Sequence, residues 1–324
     1  MQAVFDAFNG LNVLVIGDVM LDSYVFGRVD RISPEAPVPV VVANRREFRL
    51  GGAGNVLLNV QALGARAIAC SVVGQDAYGD ELCKHLEEKG LTTEGMIRSP
   101  NRITTVKERI IAGSQQVVRV DTETDALISE EERALLLDRI RELSAGCHVI
   151  IFEDYDKGVI SAELIREVVA LANERGVPTV VDPKKRNFLH YHGVTLFKPN
   201  LKELREGLNI SFDPSRKDEL EGAATRLKNH LSARGTLITL SERGVYIDFQ
   251  EQKHHLPAHL RQIADVSGAG DTVISIAACC VALHLRPDQI AGLSNLGGGL
   301  VCEKVGVVPI DKERLLAEAL KAGI

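Results

Sequence analysis

Asp265-Val266-Ser267-Gly268-Ala269-Gly270-Asp271-Thr272 is followed by an apolar run over residues 273–285, with Ala277 and Ala278 inside it. The stretch reads as a glycine-rich turn opening a buried helix. Glycines let the backbone adopt positive φ and let a ligand approach closely. The first N–H groups of such a helix lack intrahelical partners and carry the positive end of its dipole. Together these features make an anion site. Asp271 falls in the first turn of the same helix. A phosphate cradle beside a carboxylate supplies what phosphoryl transfer to an alcohol requires: stabilisation of the moving charge and a base for the hydroxyl. The same eight residues also suit a plain turn with a capping aspartate, so the rest of the chain decides.

Upstream, residues 11–16, apolar but for Asn12, run into Gly17-Asp18, with Asp22 four residues on. This reads as a central parallel strand with a carboxylate at its C-terminal end, where open α/β sheets bind ligands. Gly51-Gly52-Ala53-Gly54-Asn55 opens an amphipathic helix over residues 56–63. Its glycine spacing is not that of a dinucleotide fingerprint. Strands follow at 68–73, 149–152, 179–181, 194–197 and 236–240, separated by helices that include 78–89, 130–143 and a segment capped by Ser161. Regular alternation of this kind predicts a doubly wound, mostly parallel α/β sheet with helices on both faces. Asp18, Asp154, Lys157, Asp182, Lys184, Asn200, Glu203 and Ser241 fall at or just past strand ends. Their accumulation on one side marks a cleft.

The proline-rich stretch 32–40, the residues after it to 50, and residues 103–111 and 116–120 read as short strands of a separate small sheet. Proline belongs at sheet edges. Thr105, Lys107 and Arg109 share one face there, and Val106 points to the other. The pattern suits either a lid over the cleft or a solvated surface hairpin. Asn295 and Gly297-Gly298-Gly299 interrupt a helical pattern near the C-terminus, as close helix packing or a planar ligand on the helix would require.

Bulk properties narrow the function classes. The chain has 324 residues, a net charge of −6 with both signs interspersed, and no tryptophan. It lacks a nucleic-acid footprint, and no apolar run reaches the roughly 18 residues of a membrane span. Met1 to Gly10 does not read as a signal peptide. The six cysteines and nine histidines show no metal spacing. His255 and His259 are four apart, but Pro257 lies between them. A reducing, cytoplasmic setting is expected.

With these residues in hand, the sequence resembles the ribokinase-type (PfkB) carbohydrate kinases along essentially its whole length. Gly51–Asn55 with Leu63-Gly64 resembles the family's N-terminal signature, and Asp265–Asp271 its C-terminal one. Within the family it looks most like the D-glycero-D-manno-heptose 7-phosphate kinases of lipopolysaccharide core synthesis. That likeness is carried by Gly17-Asp18-Val19-Met20-Leu21-Asp22, residues 32–40, Asp154-Tyr155-Asp156-Lys157-Gly158, Val181-Asp182-Pro183-Lys184, Pro199-Asn200 with Glu203, and Ser241-Glu242-Arg243-Gly244. The nucleotidyltransferase often fused to such kinases would need an H-x-G-H motif. None is present, so a stand-alone kinase domain over 1–324 is expected, with lid strands within about 25–50 and 103–121.

The resemblance implies ATP and Mg²⁺ as cofactors and phosphorylation of the sugar's anomeric hydroxyl. It implies Asp271 as general base and the N–H groups of Gly268, Ala269 and Gly270 as anion hole. Asn200 and Glu203 would position Mg²⁺ through water; Ser241, Gly244 and Asn295 would lie along the nucleotide. Asp18, Asp22, Gly51, Gly52 and Asn55 would hold the sugar, and the lid would form a homodimer interface. Some members bind a monovalent cation near the anion hole; the sequence leaves that open here. Lys107, Arg109, Lys157 and Lys184 are the basic residues available for an acceptor phosphate. They favour a sugar phosphate over a nucleoside, which would need an aromatic slot in a chain with only 4% aromatics. A kinase for another acceptor, such as fructose 1-phosphate, and a non-catalytic sugar-phosphate sensor are the other readings.

Overall fold

The computed structural model describes residues 1–259 and 261–324. In chain order the strands are β1 (Asn12–Gly17), β2 (Val19–Ile32), β3 (Pro39–Gly52), β4 (Arg66–Gly74), β5 (Thr92–Ser99), β6 (Val106–Ala112), β7 (Gln115–Thr122), β8 (Val149–Glu153), β9 (Thr179–Asp182), β10 (Leu196–Phe197), β11 (Gly235–Thr239), β12 (Val245–Phe249) and β13 (Gln252–Leu256). The helices are α1 (Gln2–Ala7), α2 (Ala53–Ala62), α3 (Ala77–Glu88), α4 (Glu130–Leu143), α5 (Ala162–Glu174), α6 (Leu201–Leu208), α7 (Lys217–Leu231), α8 (Ala269–Ala282), α9 (Pro287–Val301) and α10 (Lys312–Ala322).

The main sheet runs β13-β12-β11-β10-β9-β8-β1-β4-β5. It is parallel from β11 to β5, and β12 and β13 add antiparallel pairs at one edge. Strand β1 shows why the sheet is buried on both faces. Val13 and Val15 enter one core, with residues of α2, α8 and α9; Leu14 and Ile16 enter the other, with residues of α4, α5 and α7. A two-sided apolar strand has no solvent face, so its sequence reads as an unbroken run. Helix α8 is likewise apolar all round, and every residue from Asp271 to Val281 is buried. Glycine on α9 lets α8 come close: a Cβ on Gly298 would lie 2.8 Å from Val273 Cγ2, and one on Gly297 would strike Ile276 Cδ1. Close helix packing, rather than a planar ligand, therefore explains that glycine run.

A second sheet, β3-β2-β6-β7, stands apart. Its boundaries correct the sequence expectation: it starts at Val19, because β2 is 14 residues long and pairs β3 almost throughout. Residues 103–105 precede its third strand. The pairing Asp22↔Lys107 and Tyr24↔Arg109 puts Lys107 and Arg109 on one face, as their alternation requires. Strand β7 is exposed along its whole length.

Candidate active site

From β1 the chain crosses to β4 and β5 on one side, then returns to β8 on the other side of β1 and continues to β9, β10 and β11. The crevice between the C-terminal ends of β1 and β8 is thus the topological switch point, where open α/β sheets bind ligands. Asp18 follows β1, Glu153 and Asp154 end or follow β8, and Asp182 ends β9. The N-terminus of α8 points into the same place. A cavity of about 730 Å³ opens there, lined among others by Tyr155, Lys184, Lys198, Ser241, Gly268 and Asp271.

Gly268 caps α8 in the left-handed region at φ 77°; the Ala269 N–H donates to the Val266 carbonyl at 3.3 Å, and Gly268 and Gly270 line the cavity. A Cβ on Gly270 would lie 3.6 Å from Asp182 Oδ2 and 3.8 Å from Lys198 Nζ, so the helix start, an acid and a base share one wall. Asp271 is buried and doubly held: Asn55 Nδ2 donates to its Oδ2 at 2.6 Å and Tyr155 Oη to its Oδ1 at 2.9 Å. Asn55 is itself steadied by Asn59 Nδ2, which donates to its carbonyl, and Thr272 donates to Asn59 Oδ1 at 3.0 Å. Burial pushes the Asp271 carboxyl above the usual aspartate range; the Asn55 bond works against this and the Asp182 charge adds to it. A carboxyl so shifted is a better proton acceptor than an ordinary aspartate.

Charge is dense around it. Lys198 pairs with Asp182 at 2.8 Å, both nearly inaccessible, and Lys184 pairs with Glu203 at 3.1 Å. Burial opposes the Lys198 charge, yet Asp182, Glu203 and Glu153 together hold its pKa above the ordinary lysine value. Burial, then the charges of Asp182 and Asp271, push Glu153 well above the usual carboxylate range. Asp154 is raised to about 6, chiefly by burial and the Asp18 charge, and is held by Asn187 and Tyr191.

On the side of the small sheet, several of the expected sugar and phosphate contacts already have partners within the chain. The Asp18 carboxylate, expected at the sugar, accepts from the backbone N–H groups of Tyr155, Lys157 and Val159 at 2.8–3.1 Å. A carboxylate has about four acceptor positions, so most of Asp18 is spent fixing the loop after β8. Asp22 pairs with Arg109 at 2.5 Å. A Cβ on Gly51 would lie 2.5 Å from Asp22 Oδ2, and Gly52 at φ 57° turns the chain into α2. Lys107 and Lys157 both grip Glu123, at 3.1 and 2.8 Å. Three of the four basic residues therefore already hold carboxylates on this side. Lys184 lies instead in the cavity with Asn200 and Glu203, its ammonium 5.0 Å from the Tyr155 ring centre.

On the opposite side, Asn200 and Glu203 form a reciprocal capping box at the start of α6. Ser241 lines the cavity, and Gly244 packs against Leu256 and Ala258. Asn295 is committed elsewhere: its Nδ2 donates to the Pro257 carbonyl at 2.8 Å. Glu153, Tyr155 and Lys198 were not singled out from sequence as site residues. Each sits beside a residue that was, and their signal was position at a strand end.

A helix N-terminus beside a held carboxylate, at the switch point of a doubly wound sheet, is the arrangement that a phosphotransferase site requires. Residues 11–313 match the pfkB family of carbohydrate kinases, and the chain belongs to that family. Such a kinase works with ATP and a divalent metal. Among similar curated proteins, the bifunctional protein HldE of Caulobacter vibrioides is 42% identical over 318 residues, covering 98% of this chain and 65% of that protein. The HldE of Mesorhizobium japonicum is 40% identical over 311 residues, covering 95% of this chain and 62% of that one. The chain thus spans less than two thirds of the length of these relatives. Phosphofructokinase-2 from Escherichia coli in complex with potassium has the same fold, at TM-score 0.79 and 18% identity over 97% of this chain and 99% of that one. Arabidopsis thaliana ribokinase complexed with ribose and ATP superimposes at TM-score 0.73 and 16% identity, over 95% of this chain and 98% of that one. Among the described residues, no helix is long and apolar enough to cross a membrane.

Proposed function

We propose that the chain transfers the γ-phosphoryl group of ATP to the anomeric hydroxyl of D-glycero-β-D-manno-heptose 7-phosphate, giving the 1,7-bisphosphate used for lipopolysaccharide core heptose. The observation that carries the chemistry is Asp271, held by Asn55 and Tyr155 in the first turn of α8 beside the N–H groups of Gly268, Ala269 and Gly270. Asp271 takes the hydroxyl proton as the sugar oxygen attacks phosphorus. The α8 N–H groups, with Lys184 and Lys198, stabilise charge on the moving phosphoryl group. The choice of heptose phosphate rests on the motif resemblance and on the similarity to HldE proteins. The basic groups facing the small sheet fit a phosphorylated acceptor.

The divalent metal, taken to be Mg²⁺, supplies charge neutralisation on the ATP phosphates. The site suits a hard cation, because Glu153 is fully enclosed with both oxygens unpartnered and its neighbours Asp182 and Asp271 offer only oxygen ligands. Asn200 and Glu203 are spent on each other and on Lys184, which fits a role through water. Ser241 and Gly244 would border the nucleotide, and Asn295 would act by fixing residue 257. A coupled assay over heptose 7-phosphate, fructose phosphates and nucleosides tests the assignment. Turnover is expected with the heptose phosphate, and a clear preference for another acceptor would overturn it.

The small sheet serves in this reading as the lid and as the contact between two copies. Its β7 edge is open, and Val42, Val118 and Val120 are 46–50% exposed. Open edges and exposed valines are features that pairing would cover. Sedimentation at micromolar concentration should give a dimer; a monomer would remove this part of the proposal.

A further inference from the structure

Glu153 is a buried acid in the cleft that, among the described residues, no side chain or backbone group holds. It ends β8, is 0% exposed, and neither carboxylate oxygen has a hydrogen-bond partner among the described residues. The nearby ammonium groups are already committed, Lys198 to Asp182 and Lys184 to Glu203. Buried carboxylates are paired, protonated or bound to metal, because an isolated buried charge is too costly to keep. One oxygen each from Glu153, Asp182 and Asp271 lies within 4.8 Å of the others. Counting Glu203, four carboxylates face two lysines here, a formal excess of two negative charges. A single divalent cation cancels that excess.

We propose that Glu153 and Asp182 are direct ligands of a divalent cation seated at the mouth of α8, and that this cation binds without nucleotide. Asp271 faces the cation and keeps its bonds to Asn55 and Tyr155, so it remains the proton acceptor. The donor set is all oxygen, with no histidine or thiol, which selects Mg²⁺, Mn²⁺ or Ca²⁺ over softer metals. Opposite ligands of an octahedral Mg²⁺ stand roughly 4.2 Å apart, twice its usual bond length. A spacing within 4.8 Å needs only a small inward shift. Asn200 and Glu203, whose side chains are engaged in capping α6, stand outside its direct ligand set.

The inference rests on the kinase reading for the cation's use but not for its binding. The test is Mn²⁺ titration of the nucleotide-free full chain, reading free Mn²⁺ by its paramagnetic resonance, together with melting temperature. Wild type is expected to bind one Mn²⁺ and to melt higher with it, as any ligand of the native state requires. Glu153→Gln should weaken that binding at least 10-fold and lose the metal-dependent rise in melting temperature. Its melting temperature without metal shows whether the variant folds. Glu163→Gln, exposed at the start of α5 and remote from the cleft, should change nucleotide-free Mn²⁺ affinity less than about 2-fold. If wild type binds no Mn²⁺ without nucleotide, or Glu153→Gln binds it equally well, the proposal fails. Should Glu153→Gln not fold, Asp182→Asn must show the same loss, and retained affinity there overturns it. A chain that binds Mn²⁺ through Glu153 yet phosphorylates no sugar would keep this inference and sink the kinase assignment.

Discussion

Asp271→Asn should lower kcat by about 10²–10⁴ with little change in KM, the range expected for loss of a general base. Phosphoryl transfer offers the protein little covalent chemistry, so positioning and electrostatics supply the rate. The substitution keeps the shape of the site. The new amide can accept from Asn55 through its oxygen and donate to Tyr155 through its nitrogen. A variant retaining wild-type kcat would show that another group takes the proton. Tyr155→Phe gives an independent reading of the same site. It removes one donor to the carboxylate, which should cost roughly 10-fold in kcat, the worth of a hydrogen bond to a charged group. That bond lowers the Asp271 pKa, so the rising limb of the pH–rate profile should move to higher pH in the Phe variant. A fall in kcat with an unmoved profile would assign Tyr155 to packing alone.

Burial raises the folded-state pKa of Asp271 above its unfolded value. The folded chain then binds the proton more tightly than the unfolded one. Stability from this group is therefore greatest at low pH and falls as pH rises from the ordinary aspartate range through the raised value. Asn carries no charge to bury, so Asp271→Asn should melt no lower than wild type at neutral pH. That control separates lost chemistry from lost fold.

How far the sequence could be read depended on whether a signal was local. The Gly268–Asp271 turn and the apolar run after it are local, and they located α8 and the carboxylate in its first turn. The strand ends were legible because β1, β8 and β9 are two-sided apolar runs with an abrupt polar stop. Partners distant in sequence were not legible. Asn55 reads as a sugar contact in sequence, and only the fold shows that its amide also holds Asp271 at 2.6 Å, 216 residues away. Lys198 was passed over because lysine is rarely buried; only the buried Asp182 beside it makes its enclosure tolerable. The β12–β13 hairpin escaped for a different reason. Its turn residues Gln250 and Glu251 take φ of 51° and 62°, a conformation usually announced by Asn or Gly. Strand β2 was hidden because its outer half is exposed and mixed in character, so it does not alternate as a half-buried strand would.

Lys157→Ala should raise KM for the phosphorylated sugar by roughly 10–100-fold and leave the weak rate on the unphosphorylated sugar nearly unchanged, as loss of a charge-assisted bond made equally in ground and transition states would do. Lys107→Ala should behave similarly, because both ammonium groups converge on Glu123. Glu123 is gripped by both lysines, and Lys107 is shared with Asp121 at 3.4 Å; an incoming phosphate dianion competes for the Glu123 grip. Glu123 follows β7 in the segment leading to α4, where a side chain can swing without breaking a strand. Glu123→Gln should therefore lower KM for the phosphorylated sugar several-fold, with no gain for the unphosphorylated one. Arg109→Ala is the harder case, since it leaves the nearly buried Asp22 without its partner. Its KM effect must be read against its melting temperature. Lys184→Ala should separate from the others, because Lys184 lies with Asn200 and Glu203: it should raise KM for ATP or lower kcat on both sugars alike. If Lys107, Lys157 and Arg109 variants lose activity on both sugars in the same proportion, the acceptor phosphate is held elsewhere. If Glu123→Gln raises KM instead, Glu123 is a brace that positions the lysines rather than a competitor for them.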